Sequence, residues 1–267
     1  MPNEWMPGAT RLDIGDHAPT DGGPAKAIAH ITWDRNATAK APAALVPYEN
    51  LRDYFGKNPA GRAAAPHILW DPFTGRITQF VPASSRSKSL ADAAGGTRTN
   101  RAGSAVIQVE ALFFPYCTVG GKTYARLADT PCKGWAELNA WVRSWGVPDA
   151  WPMGRPTDFT PHRSEAMWEK KPGWYAHAHV PENDHQDPGS WPAFTTEPKE
   201  DDMDAKQVYD AVWMRDAAPA PTRSATLKKN PTWSPISFLR ELYNLVATVN
   251  DNVKALDKRL DAIEKKG

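Results

Sequence analysis

Three imidazoles and three carboxylates, among them Asp187 of the closing Asp-Pro-Gly, lie close together in one short segment, residues 177–189, with the sequence HAHVPENDHQDPG. Imidazole nitrogens and carboxylate oxygens hold Zn²⁺ in catalytic sites, where three protein ligands leave a fourth position open. A loop that folds back can bring His177 and Asp187 to the same ion, although His179 fits the place of His177 equally well by composition. A solvated histidine-rich loop is the simpler alternative for this segment taken alone.

A third ligand has to come from another part of the chain, and His30 is the best distant candidate. It lies in an alternating, β-prone stretch, where a histidine is more often a core residue than a ligand. Glu110 ends the alternating run VIQVE. A buried carboxylate beside a metal can take a proton from water and pass it to a leaving amine, while an exposed strand-end glutamate fits the pattern equally well. His185, two residues before Asp187, is placed to face the open coordination position.

The elements that must position these residues alternate between strand and helix. The predicted strands are residues 27–33 and 104–114 and a hairpin around DPFTG (67–70 with 76–81), and the predicted helices are 47–57 and 133–145. One face of the second helix carries Leu138, Trp141, Val142 and Trp145, a stripe typical of core packing. Residues 1–24 are predicted to be an irregular lead-in, and residues 160–176 a mixed region with room for a short helix. This order predicts an α/β domain over residues 1–195, with a mixed central β-sheet flanked by helices.

The composition changes after residue 195. Residues 196–233 are predicted to be a linker with a short helix from Asp204 to about Arg215. Residues 234–267 are predicted to be a C-terminal coiled-coil helix, begun by Ser234 and Pro235. Its apolar residues alternate in spacings of three and four, which is a heptad repeat. They are Leu239, Leu242, Val246, Val249, Val253, Leu256, Leu260 and Ile263. We expect this helix to form a homo-oligomer rather than to dock on the first domain.

Composition and charge exclude several classes of protein. The net charge of +1 carries no basic excess, which argues against a nucleic-acid partner. No apolar run approaches the roughly 20 residues of a membrane span. The first residues, MPNEWMPGATRLDIGD, lack the basic start and apolar core of a signal peptide, so we expect synthesis in a cytoplasm. Cys117 and Cys132 are expected to be unpaired thiols.

Four segments together resemble a known family. AHITWD, RITQFVP, TNRAGSAVIQVE and HAHVPENDHQDPG are similar to the successive motifs of type 2 N-acetylmuramoyl-L-alanine amidases, and most of all to endolysins of phages that infect actinobacteria. The resemblance covers roughly residues 25–195. It implies the peptidoglycan-recognition-protein fold, a mixed sheet flanked by helices with Zn²⁺ in a surface groove.

The resemblance also implies roles for individual residues. It selects His30, His177 and Asp187 as zinc ligands and leaves His179 as a neighbour. It implies Glu110 and His185 as the catalytic pair. The chain departs from the family pattern at Ala176, where a glycine is usual, and in the segment SSRSKSLADAAGG before the Glu110 strand.

The implied activity is hydrolysis of the amide between N-acetylmuramic acid and L-alanine in peptidoglycan, by a phage lytic enzyme. Such an endolysin is expected in the host cytoplasm before lysis and then, after release by a holin, at the bacterial cell wall. Two alternatives stay open. One is a non-catalytic peptidoglycan-binding module, and the other is a virion-associated protein in which the heptad helix builds an assembly.

Overall fold

A mixed β-sheet of six strands organises the first part of the chain. The structure is a computed structural model and describes residues 2–92, 96–194, 209–214, 218–222, 224, 228 and 232–265. It divides into two units, Met1–Thr195 and Thr196–Gly267. Most of the predicted linker lies outside the described residues, so the finer division at residue 233 stays a prediction.

The elements of the first unit are numbered in chain order. The strands are β1 (Thr10–Arg11), β2 (Lys26–Ile31), β3 (Ala43–Ala44), β4 (Ile68–Trp70), β5 (Ile77–Gln79), β6 (Val106–Ala111), β7 (Cys117–Val119), β8 (Lys122–Tyr124) and β9 (Gly173–Ala176). The helices are α1 (Tyr48–Lys57), α2 (Pro59–Arg62), α3 (Trp135–Ser144) and α4 (Glu165–Lys170).

The central sheet has the order β1-β5-β4-β6-β2-β9. Strands β4, β6, β2 and β9 run parallel to one another, and β5 is antiparallel to β4. The sheet is therefore mixed, as predicted, and β4 with β5 forms the predicted hairpin. A second small sheet joins β3, β7 and β8.

Alternation along the strands sends side chains to the two faces of the sheet, which pack against different hydrophobic clusters. On one face, Ala29 and Val109 belong to a cluster with Leu138, Trp141 and Val142 of α3, which confirms that the helical stripe is core packing. On the other face, one cluster includes Leu51 and Phe55 of α1, and another includes Ile28 with Trp168 of α4. Residues of β2 and β6 that share the face of Ile28 can therefore reach the space between these helices.

Several features of the first unit are absent from the sequence-based expectation, among them α2 and β3. The lead-in is not wholly irregular, because β1 pairs with β5 and the side chains of Met6 and Ile14 are buried. The pair β7–β8 was not predicted. In residues 160–176 the short helix is confirmed as α4, but β9, which completes the sheet beside β2, was missed. The two cysteines are free thiols, as predicted.

The second unit is dominated by one long helix, α5 (Pro235–Glu264). It begins after Ser234, as predicted, and Trp233 packs on Phe238 with ring centroids 5.3 Å apart. This contact across the helix start fixes the direction in which the chain enters the helix. Before it, Ala218–Pro219 pairs antiparallel with Thr232–Trp233 (β10 and β11), and a π-helical turn covers Asp210–Met214. Asp204, the predicted start of the linker helix, lies outside the described residues.

Among the helices that the structure describes, none combines the length and the apolar character needed to span a lipid bilayer.

Candidate metal centre

Three neighbouring parallel strands bring the predicted site together at their carboxyl ends. His30 on β2 is the register partner of Glu110 on β6. On the other side of β2, Ala29 pairs with Ala176, the last residue of β9, so that His177 follows directly beside His30. The carboxyl ends of parallel strands are the usual edge for ligand binding in open α/β sheets.

The ligating atoms of His30, His177 and Asp187 all lie within 4.8 Å of one another. The His30 Nδ1 and His177 Nδ1 atoms are 3.0 Å apart, and His177 Nδ1 lies 3.2 Å from Asp187 Oδ1. His30 Nδ1 is 3.9 Å from Asp187 Oδ2. Two ligands of a tetrahedral zinc ion, each about 2.0–2.1 Å from the metal, are roughly 3.3 Å apart. The three side chains are thus already near the spacing that one such ion requires.

The burial and charge of this cluster also suit a cation. The exposed fractions of His30, His177 and Asp187 are 1%, 3% and 4%. Burial and the neighbouring His177 lower the pKa of His30 well below its usual value, which keeps the ring neutral and able to ligate. Two imidazoles and one carboxylate match the donor set of zinc. Among the described residues, this is the one group of three or more His, Cys, Asp or Glu side chains with such geometry.

Asp187 is held as a carboxylate. Burial acts to raise its pKa, but the contacts with His177 and His185 outweigh burial, so the pKa of Asp187 lies well below its usual value. The Ile31 backbone N–H donates to its Oδ2 over 3.1 Å. One oxygen is therefore fixed to β2, and the other faces His177.

Asn183 determines which nitrogen of His177 carries hydrogen. The Ala91 backbone N–H donates to Asn183 Oδ1 over 3.1 Å, and Asn183 Nδ2 donates to the carbonyl oxygens of Pro181 and Ala91 over 2.8 and 3.3 Å. These backbone groups leave only one orientation for the amide. Asn183 Oδ1 can then only accept from His177 Nε2, at 3.1 Å. In the tautomer that this bond fixes, the lone pair of the His177 ring lies on Nδ1, the atom that faces His30 and Asp187.

Asn183→Ala should lower zinc affinity by about 10- to 100-fold, the range found when a partner of a ligating histidine is removed. The Nε2–H of His177 would lose its acceptor, and the ring would therefore lose its fixed orientation. Zinc dissociation constants measured by competition with a chromophoric chelator would show the change. The matched control is Asn139→Ala, because Asn139 is also buried but bonds to Asp149 beside α3. Equal zinc affinity in the Asn183→Ala variant and the wild type would contradict this role.

Glu110 lies beside the cluster without belonging to it. Its Oε1 is 3.9 Å from His30 Nδ1, and its Oε2 is buried with no hydrogen-bond partner among the residues that the structure describes. Burial, together with the negative charges of Asp187 and Asp34, raises the pKa of Glu110 well above its usual value. A carboxyl group in this state is suited to accept and release a proton near neutral pH.

His185 covers the cluster from the solvent side. Its ring stacks on His177 with centroids 4.4 Å apart, and its Nδ1 lies 3.6 Å from Asp187 Oδ1. The contact with Asp187 raises the pKa of His185, so its protonated form is favoured. The side chain is largely exposed, which leaves it free to meet a ligand.

An open groove of about 560 Å³ leads to these side chains. It is lined by His30, Ile31, Thr32, Trp33, Asn36, Phe55, Ala64, Lys88, Ser89, Glu110, His177, His185, Gln186 and Asp187. Trp33 packs on Phe159 at a centroid distance of 4.7 Å. Phe159 also packs against Gly189, where a Cβ atom would lie 2.4 Å from its ring and φ is +68°. The glycine of the Asp-Pro-Gly sequence therefore permits a close approach that another residue would block.

His179, which composition alone could not separate from His177, lies outside the cluster. Its Nδ1 accepts the Ala176 backbone N–H over 3.2 Å, and its ring stacks on His162. Burial lowers the pKa of His179 to about 4. It is a hydrogen-bonded histidine of the loop, and it does not belong to the His30–His177–Asp187 cluster.

Sequence reasoning missed Asn183, Phe159 and the groove residues Lys88 and Ser89. Asn183 gave one usable signal, since it is an amide inside the proposed ligand segment, where a histidine needs a partner for its second nitrogen. Lys88 and Ser89 belong to a Ser- and Ala-rich stretch with no periodic pattern. Phe159 carries no local signal, because its contact with Trp33 and Gly189 depends on the fold.

Comparison of the chain with the sequence patterns of known protein families, with curated proteins and with solved structures gives no match. What the geometry shows is a buried His30–His177–Asp187 cluster that could hold a metal ion, as in a metallohydrolase.

Proposed function

We propose that this protein is a zinc-dependent N-acetylmuramoyl-L-alanine amidase of type 2 that acts as a phage endolysin. The observation that carries the proposal is the buried cluster of His30, His177 and Asp187 beside Glu110, at the base of an open groove. The metal cluster supports hydrolysis. The similarity of four sequence segments to this amidase family supports peptidoglycan as the substrate.

His30, His177 and Asp187 would hold the zinc ion. When bound, zinc supplies a Lewis acid that polarises a carbonyl group and lowers the pKa of a water molecule toward about 7. The orientation of His177 by Asn183 and of Asp187 by the Ile31 N–H prepares both ligands before any ion arrives. Such preparation reduces the reorganisation that binding requires.

Glu110 would act as general base and then as general acid. Its raised pKa makes the carboxylate a better proton acceptor than an exposed glutamate. It would take the proton of the attacking water and return it to the nitrogen of the leaving L-alanine. Within the described residues no donor competes for its Oε2, which leaves the lone pairs of that oxygen free.

His185 would stabilise the negative charge that develops on the carbonyl oxygen. Its protonated form is favoured by Asp187, and its exposed position on the groove wall leaves the ring free to donate a hydrogen bond. Donors of this kind contribute about 3–4 kcal/mol to transition-state stabilisation in comparable sites.

The groove has the size of a small-molecule binding site. Its volume of about 560 Å³ is within the usual range of roughly 300–1,000 Å³ for small-molecule sites. Ile31, Trp33 and Phe55 provide apolar wall, while Asn36 and Gln186 provide amide groups for hydrogen bonds. As an endolysin, the protein would reach the wall from the host cytoplasm after release by a holin.

Mass spectrometry of digested peptidoglycan tests the proposed activity. We expect the zinc-loaded protein to release free amino termini of L-alanine from purified cell walls while the glycan strands stay intact. New reducing sugar ends, or cleavage within the stem peptide, would contradict the amidase assignment. Binding to the walls with no cleavage would favour the non-catalytic alternative instead.

A further inference from the structure

The long helix α5 exposes a continuous apolar seam. We call the heptad seam the eight residues Leu239, Leu242, Val246, Val249, Val253, Leu256, Leu260 and Ile263. Their exposed fractions run from 49% at Val253 to 69% at Ile263, and no residue of α5 is buried. The π-helical turn Asp210–Met214 contacts α5, yet every seam residue stays about half exposed or more, over most of a helix about 45 Å long.

The seam fits another helix better than it fits a lipid surface. The seam places one residue pair in each heptad, the pattern of coiled-coil contacts, and the exposed Tyr243 and Leu245 flank it near its start. Helices that bind membranes carry a basic polar face. The exposed charges of α5 have mixed sign, with Glu241, Asp257 and Asp261 among Arg240, Lys254 and Lys258. A second copy of α5 brings the same seam, with side chains of matching size at every layer.

The area available is large enough for a stable pair. Covering the heptad seams of two copies would remove on the order of 1,500 Å² from water, which is within the roughly 1,200–2,000 Å² that stable interfaces bury. Val246 and Val253 occupy the two inner a positions, and Val249 and Leu256 follow them at d. The combination of a β-branched residue at a with leucine at d, which favours two strands in a parallel arrangement, occurs at Val253 and Leu256.

The flanking charges also select the parallel direction. In a parallel pair, the g residue of one helix meets the e residue of the next heptad on its partner. Arg259 at g then faces the partner's Glu264, an attractive pair at the C-terminal end. An antiparallel pair with full overlap would bring like positions together, which places Arg259 beside the partner's Leu245 and gives no such ion pair.

We propose that α5 forms a parallel, two-stranded coiled coil with α5 of a second copy of this chain. Arg259 and the partner's Glu264 set the direction, and the heptad seam supplies the stability. Both chains enter the pair at its Ser234 end, so two first units are tethered to the same end through residues 196–233. This pairing is independent of the proposed function. If the first unit is an amidase, the dimer carries two active sites. Once one site has bound the wall, the linked second site is held near the wall at a high effective concentration.

Light scattering on the full-length protein tests the pairing. We expect a mass of about twice 29.4 kDa at micromolar concentration. The double variant Val253→Lys and Leu256→Lys places charges in the seam and is expected to be monomeric, while the outer-face control Asp251→Lys stays dimeric. A monomeric wild type, a trimer or tetramer, or a seam variant that remains dimeric would each overturn the proposal.

Cysteine cross-linking of the full-length protein tests the direction. In a parallel pair, residue 263 of one helix lies beside residue 263 of its partner, so the Ile263→Cys variant should form a disulfide-linked dimer under mild oxidation. The wild type, oxidised in the same way, shows how much cross-linked dimer forms through the native thiols of Cys117 and Cys132. Cross-linking that instead requires a mixture of Ile263→Cys and Leu239→Cys chains would show an antiparallel pair and contradict the proposed direction.

Discussion

Replacing Glu110 by glutamine is expected to lower the rate of alanine release from peptidoglycan by about 10²- to 10⁴-fold, the usual contribution of general acid–base catalysis. Glutamine fills the same space but can neither accept nor return the proton. The zinc content should stay at one ion per chain, because Glu110 lies outside the His30–His177–Asp187 cluster. Both quantities are measured on the same preparation, by peptidoglycan digestion and by elemental analysis.

The stability of this variant separates catalysis from folding. Burial raises the pKa of Glu110 well above its usual value, so keeping this group ionised at neutral pH costs folding free energy. Glutamine removes that cost, and the metal-free Glu110→Gln variant should unfold at the same temperature as the wild type or higher. Glu137→Gln, on an exposed position of α3, is the matched control and should keep full activity. Activity within tenfold of the wild type, or loss of zinc, would contradict the role given to Glu110.

Removing a member of the metal cluster is expected to affect zinc binding itself. His177→Ala and Asp187→Asn should each lower zinc affinity by more than about 100-fold, beyond the range for a residue that only supports a ligand. Asparagine at position 187 can still accept the Ile31 N–H bond, so its effect would report the lost charge rather than a lost loop contact. Zinc content after dialysis and chelator competition measure the change.

His179 provides the control for the ligand variants. It is buried in the same loop but lies outside the cluster, with its Nδ1 bonded to the Ala176 N–H. His179→Asn keeps an acceptor near that position and should retain zinc. If His179→Asn loses zinc while His177→Ala retains it, the two histidines have been assigned the wrong way round.

Much of the sheet could be predicted because the sequences of its central strands show a local pattern typical of strands. The run VIQVEA alternates, and the alternation that buries Val109 sends Glu110 to the opposite face, beside His30. The hairpin β4–β5 has a turn sequence between two short apolar runs. The heptad spacing of α5 required no tertiary information at all.

The remaining features depend on contacts between distant parts of the chain. Strand β9 has only four residues and follows directly on α4, so its sequence has no pattern long enough to separate strand from helix. Strand β1 has only two residues, and it forms because it pairs with the edge of β5. The choice between His177 and His179 likewise depends on β9, because its pairing with β2 sets which histidine lies beside His30.

The location of zinc in a crystal of the full-length protein tests the central claim most directly. Anomalous differences recorded at the zinc absorption edge should show one strong peak in the first unit. We expect it about 2.0–2.1 Å from His30 Nδ1, His177 Nδ1 and a carboxylate oxygen of Asp187. No peak at that place from crystals grown with zinc, or a peak held by other side chains, would contradict the account.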